Sequence, residues 1–107
     1  MTTEATIRPG PDCTTMAEVR AGVDALDLEL VALLRRRFDY MDAAARIKPA
    51  RGAVRDEARK AQVIAAARAA AEAAGLPDAA IAELWDRLVE ASIAYELAAF
   101  DARVTPS

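Results

Sequence analysis

Between Met16 and Ile47 the apolar residues recur in alternating steps of three and four: Met16, Val19, Val23, Leu26, Leu30 and Leu33, with the same rhythm continuing through Arg37, Tyr40, Ala44 and Ile47. Such steps lay one stripe along one face of an α-helix, the seam by which long helices pair. A flanking stripe of Val31, Leu34, Phe38, Met41 and Ala45 widens the buried face. Thr14 or Thr15 is the expected N-cap, with Glu18 three residues after Thr15 completing a capping box. Pro49 ends the run, because the residue before a proline disfavours helical geometry and the ring has no N–H to donate. The helix is therefore about 33 residues and, at roughly 1.5 Å per residue, about 50 Å long. A compact monomer of this size has a radius of gyration of only about 13 Å, so a globule made from one chain cannot cover such a rod. Two chains side by side can, and the expected assembly is an obligate homodimer with paired long helices.

The rest of the chain is also helical in pattern. After a loop from Pro49 to Ala53, with Gly52 expected to give the turn, a second helix is predicted from Asp56 to Ala74, with Gly75 at its C-terminal end. A third begins near Pro77 and Asp78, presents Ile81, Leu84, Trp85, Leu88, Ser92, Ile93, Glu96 and Phe100 on a broad inner face, and frays towards Pro106. The composition agrees: 54% hydrophobic but 5% aromatic, with four glycines, which suits closely packed helices and no strand-rich architecture. The expected fold is all-α, three helices per chain with one very long, intertwined as a homodimeric helical bundle. Residues 1–14, with Pro9 and Pro11 around Gly10, are expected to be a flexible tail ahead of a single domain over 15–107.

The net charge of −3 argues against nucleic acid as a partner, since neutralising a phosphate backbone needs a basic face. Charges interrupt every apolar stretch, so no membrane span is expected. One cysteine, Cys13, allows no intrachain disulfide, and the first residues lack a leader pattern, so a cytoplasmic location is expected. Histidine is absent, which removes the commonest general base and zinc ligand and every Ser-His or Cys-His pair. No metal or cofactor is expected, and any reaction must need little proton transfer.

The informative positions are polar ones where apolar ones belong. Arg37 falls in the seam between Leu33 and Tyr40, and a buried guanidinium is costly unless an anion meets it. The alternative is that it ends the cluster Arg35, Arg36, Arg37 and snorkels to solvent. Lys48 lies eleven residues on, which at roughly 100° per residue returns to nearly the same face. Its plainer role is a lysine favoured by the helix dipole. Arg20 is about 25 Å from Arg37 along the helix, too far to share one metabolite, but in an antiparallel pair it approaches the middle of its partner. Ser92 and Glu96, one turn apart on the third helix, make a buried carboxyl beside cations, a site candidate or a plain salt bridge with Arg37 or Lys48. Arg55, Asp56 and Arg59 are either site residues or a solvated first turn.

The segments VRAGVDALDLELVALLRRRFDYMDAAARIK, VRDEARKAQVI and EASIAYELAAF together resemble the all-helical chorismate mutases over about residues 14 to 101. The resemblance implies that Arg37 and Arg59 of one chain and Arg20 of the other grip the substrate carboxylates. It implies that Lys48 contacts the ether oxygen and a carboxylate, that Asp56 meets the ring hydroxyl, and that Ser92 and Glu96 line the site. Lys60 stands where many relatives have a glutamate for that hydroxyl, and Glu96 where many have glutamine. An ionised carboxylate has nothing to donate to the ether oxygen, so Glu96 must carry a proton during turnover. The implied catalytic pair is Lys48 and Glu96, and the implied reaction is chorismate to prephenate, a pericyclic rearrangement with no proton transfer, which suits a chain without histidine.

The opening PDCTTMAEVR instead resembles the isochorismate pyruvate lyase branch of the same fold, which makes salicylate and pyruvate, whereas VRDEAR resembles the mutases. Mutase activity is therefore expected, with the lyase reaction of salicylate synthesis as the alternative, and the pathway served, aromatic amino-acid or salicylate synthesis, stays open. A reading of another class is a non-catalytic helical dimer that binds a dicarboxylate metabolite without turning it over.

Overall fold

A computed structural model describes residues 7–104. Among them are three α-helices, α1 (Met16–Ile47), α2 (Glu57–Ala73) and α3 (Asp78–Val104), two 3-10 turns at Gly10–Asp12 and Arg51–Ala53, and no strand. The all-α class with one very long helix is what the periodicity predicts. The first six residues of the expected tail, and the fraying expected at Pro106, lie outside the described residues. No helix is long and apolar enough to cross a membrane among the described residues. The chain divides into two compact units, Met1–Arg37 and Phe38–Ser107.

In the first unit the capping box forms. The Glu18 N–H donates to Thr15 Oγ1 at 3.2 Å and the Thr15 N–H donates back to Glu18 Oε1 at 3.0 Å, an arrangement worth about 1 kcal/mol. The Thr14 N–H reaches the same oxygen at 2.9 Å, and Arg8 Nε pairs with Glu18 Oε2 at 2.6 Å. The Thr14 amide is the main reason that the Glu18 carboxyl lies below its ordinary pKa. None of residues 7–37 is buried. Instead Val23, Leu26, Leu30 and Leu33 are 50, 58, 55 and 53% exposed. That is a contiguous apolar face on a helix with no core of its own, where single exposed leucines would need no comment.

The second unit has the core. Ala45, Val54, Val89, Ile93 and Phe100 are buried together, with Val63, Leu97 and Ala99 packed against them. α2 packs along α3 and ends in a Schellman motif: Gly75, at φ 73, occupies the left-handed position, the Leu76 N–H donates to Ala71 O at 2.8 Å, and the Gly75 N–H donates to Glu72 O at 3.1 Å. The buried stripe of α3 centres on Val89, which the sequence reading left out, and Leu84 is 57% exposed instead of inward. At about 100° per residue Leu84 lies more than a third of a turn from the stripe that Val89, Ile93 and Phe100 define. Gly52 is a second correction. It sits inside a 3-10 turn without a positive φ, so the loop does not depend on glycine there.

Where α1 ends, its last turns are tied to α3. Phe38 meets Tyr95 edge to face at 4.9 Å, and the Tyr95 hydroxyl donates to Asp42 Oδ2 at 3.0 Å. Beyond Pro49, Arg51 makes a two-pronged pair with Asp101 at 2.9 and 3.3 Å, and Val54 inserts into the core at 4% exposure.

Candidate functional site

Three of the sequence-predicted residues come together in the second unit. α3 presents Ser92 and Glu96 one turn apart on its buried face, 3 and 4% exposed. The residue after α1, Lys48, reaches this face and donates from Nζ to Glu96 Oε2 at 2.7 Å and to the Val54 carbonyl at 3.3 Å. An ammonium has three N–H donors, so one remains for a third acceptor. The Ser92 hydroxyl donates back to the Leu88 carbonyl at 2.7 Å, the usual local bond of a mid-helix serine. Lys48 is half-buried, so its charge is neutralised by Glu96 yet is not sealed from a ligand.

Asp56 and Arg59 open α2. The Asp56 carboxylate is the N-cap and accepts from the Arg59 N–H at 3.0 Å, leaving its second oxygen uncommitted to the cap. Both residues are exposed. Arg55, read from sequence as either site residue or solvated turn, has a side chain that is 45% exposed. It grips Glu90 through two nitrogens at 2.7 and 3.1 Å and also Glu57 at 2.8 Å. Lys60 joins the same group, 2.8 Å from Glu90 and 2.9 Å from Asp86. Its ammonium is thereby held above its ordinary pKa, chiefly by the Glu90 hydrogen bond.

Arg20 and Arg37 belong to the first unit. Arg20 is exposed, and Arg37 is half-buried and interacts with other groups of the chain. Sequence reasoning missed Arg51, Asp101 and Arg103, which fasten the corner that carries Lys48. An open groove of about 380 Å³ lies along α3, lined by Glu83, Asp86, Arg87 and Glu90. Its Asp86 and Glu90 are already paired with Lys60, and Glu90 with Arg55, whereas the Lys48 corner lies between Glu96 and a carbonyl with an ammonium donor to offer.

The Arg55–Glu90–Lys60 group has a pH signature. Hydrogen bonds from Arg55, then from Lys60, hold the Glu90 carboxyl down at about 2. A carboxyl depressed on folding contributes stability that is complete above its unfolded value of about 4.5 and is lost as pH falls towards about 2. Chemical denaturation at a series of pH values should show the midpoint falling across that window, and Glu90→Gln should remove that part of the fall. Because Glu90 is 41% exposed, the change is expected to be modest. An acid limb of unchanged slope in Glu90→Gln would assign it to other carboxylates.

Fold and site together define an all-helical protein in which a lysine at the end of a long helix meets a buried carboxyl on another. The chorismate mutase type II family matches residues 19–97 of the chain. The isochorismate pyruvate lyase of Pseudomonas aeruginosa is 33% identical over 86 residues, which cover 80% of this chain and 85% of that protein. The chain belongs to the chorismate mutase type II family, whose members are enzymes.

Proposed function

We propose that the protein is a chorismate mutase working as a homodimer, in which residues 15–107 act as one functional domain completed by the partner. Arg37 and Arg59 of one chain and Arg20 of the other hold the two carboxylates of chorismate, Lys48 donates to the ether oxygen, and Asp56 accepts from the ring hydroxyl through the oxygen its cap leaves over. Ser92 and Glu96 form the wall behind that oxygen. The observation that carries the reading is the Lys48 ammonium, 2.7 Å from a carboxyl that is 4% exposed, within the family-matched segment. In the rearrangement one carbon–oxygen bond breaks and one carbon–carbon bond forms, with no proton transferred. Rate then comes from holding the compact conformer and from placing donors at the oxygen that gains charge. The homodimer is supported by the long uncovered apolar face of α1, which one more copy of the same helix would bury.

Glu96 pairs with Lys48 as an acceptor in the ligand-free protein. To donate to the ether oxygen as well, it must take up a proton when substrate binds. Turnover of chorismate is therefore expected to decline as pH rises, and Glu96→Gln, which always carries N–H donors, is expected to hold its rate constant across the same range. A pH profile unchanged by the substitution would remove Glu96 from the donor role.

A second reading is favoured by a specific observation, the similarity to an isochorismate pyruvate lyase over most of both chains. The same cationic cage would then hold isochorismate and release salicylate and pyruvate, and the product formed distinguishes the two.

A further inference from the structure

The residue that carries Lys48 stands at a helix end that cannot complete its own hydrogen bonds. In a continuing helix the carbonyl of Ala45 would accept from the N–H of residue 49, but residue 49 is proline and has none. The carbonyl of Arg46 would accept from the N–H of Ala50, but Ala50 is extended at φ −146, ψ 149, and the chain has left the helix. Ala45 is 2% exposed, so water is a poor substitute. Both carbonyls are met from α3. Arg103 Nη1 donates to Ala45 O at 3.0 Å and to Arg46 O at 2.6 Å. The guanidinium lies 4.7 Å from the centre of the buried Phe100 ring, which fixes its direction, and its positive charge stands at the negative end of the α1 dipole.

We propose that Arg103 is a positioning residue for Lys48: it replaces the amides that Pro49 and the extended Ala50 do not supply, and so fixes where α1 stops and where the Lys48 side chain departs. Arg103 lies seven residues, about two turns, beyond Glu96 on α3. One helix therefore holds Lys48 at both ends, its backbone corner through Arg103 and its ammonium through Glu96. The pair Arg51–Asp101 clamps the chain on the far side of Pro49 to the same stretch of α3. Arg103 and Asp101 both lie beyond the segment that matches the family, residues 19–97. The inference rests on the reading of Lys48 as the donor to the substrate.

The test uses the full chain and its two lysines, Lys48 and Lys60. Their side-chain ammonium resonances are recorded by 15N-lysine NMR in ligand-free protein, with Lys60, fastened to Asp86 and Glu90, as the internal reference. In Arg103→Ala the Lys48 resonance is expected to shift or broaden while that of Lys60 stays, and kcat to fall by about tenfold or more with a smaller rise in KM, because the carboxylate-binding arginines are untouched and only Lys48 is misplaced. Adding Pro49→Ala returns an N–H to the corner. The double variant is expected to regain thermal stability without regaining turnover, because a lengthened helix sends Lys48 in another direction. Arg103→Lys, which keeps the charge but not the two-carbonyl geometry, is expected to fold and to show a smaller change of the same kind, and it serves as the test should the alanine variants not fold. An unmoved Lys48 resonance in whichever variant folds overturns the proposal, as does Pro49→Ala restoring turnover together with stability. If the parent protein converts neither chorismate nor isochorismate, it is the functional reading that fails, and the resonance still tests Arg103.

Discussion

Lys48→Ala is expected to lower turnover by about a hundredfold or more while leaving the helical content in place, the usual scale for removing one donor aimed at a developing negative oxygen. Two losses combine in this substitution. The donor to the substrate goes, and Glu96, 4% exposed, loses the cation 2.7 Å from its carboxyl. The second loss destabilises by about 1–3 kcal/mol and not more, because the Lys48 side chain is 30% exposed and water can enter where it stood. Rates must therefore be measured well below the melting temperature of the variant, with circular dichroism on the same sample. Lys48→Arg provides the control: it retains the charge for Glu96 and should recover stability ahead of activity, since a planar fork does not place its donors where an ammonium does. Turnover by Lys48→Ala within a few-fold of the parent would mean that the Lys48–Glu96 pair is a structural salt bridge and no more.

The second large effect concerns two chains at once. Arg20→Ala and Lys48→Ala are each expected to be nearly inactive as homodimers, yet refolding them together should restore about a quarter of parental activity. Half of the randomly paired dimers combine one chain of each kind, and in these one site has Lys48 from the first chain and Arg20 from the second. The other site lacks both. Such complementation requires α1 to be covered by another α1, which its exposed Leu26, Leu30 and Leu33 support. Burying such side chains stabilises by about 1.5–3 kcal/mol each when complete, so a face this long left to water would be a large unclaimed gain. Recovery that stays at the level of the separate variants would place Arg20 and Lys48 in unrelated roles or in one chain's site.

Local sequence chemistry made much of the fold legible. The length of α1, its Thr15–Glu18 box, its stop at Pro49 and the Gly75 terminus of α2 follow from local patterns, and each occurs as the spacing predicts. The Lys48–Glu96 meeting was readable as one of two options because a carboxyl on an apolar face must find a cation. What spacing does not encode is which distant group answers which need. Pro49 announces an unmet carbonyl at Ala45, but nothing local says that Arg103, on another helix, meets it. Lys60 looks like a departure in hydroxyl recognition until Asp86 and Glu90 are seen on either side of its ammonium. Leu84 and Val89 were misjudged for a related reason, since a broad apolar stripe leaves its own centre undefined until a neighbour packs on it.

The proposed function is a cage of cations held on helices for a guest with two negative charges. Its most direct test is to incubate the purified protein with chorismate and, separately, with isochorismate, and to resolve the products by chromatography. Prephenate from chorismate, at a rate abolished in Lys48→Ala, is the predicted result, and salicylate with pyruvate from isochorismate as the faster reaction would select the lyase reading instead. Neither product from protein that is helical and dimeric, even where the substrates bind, would contradict the assignment of catalysis to this site.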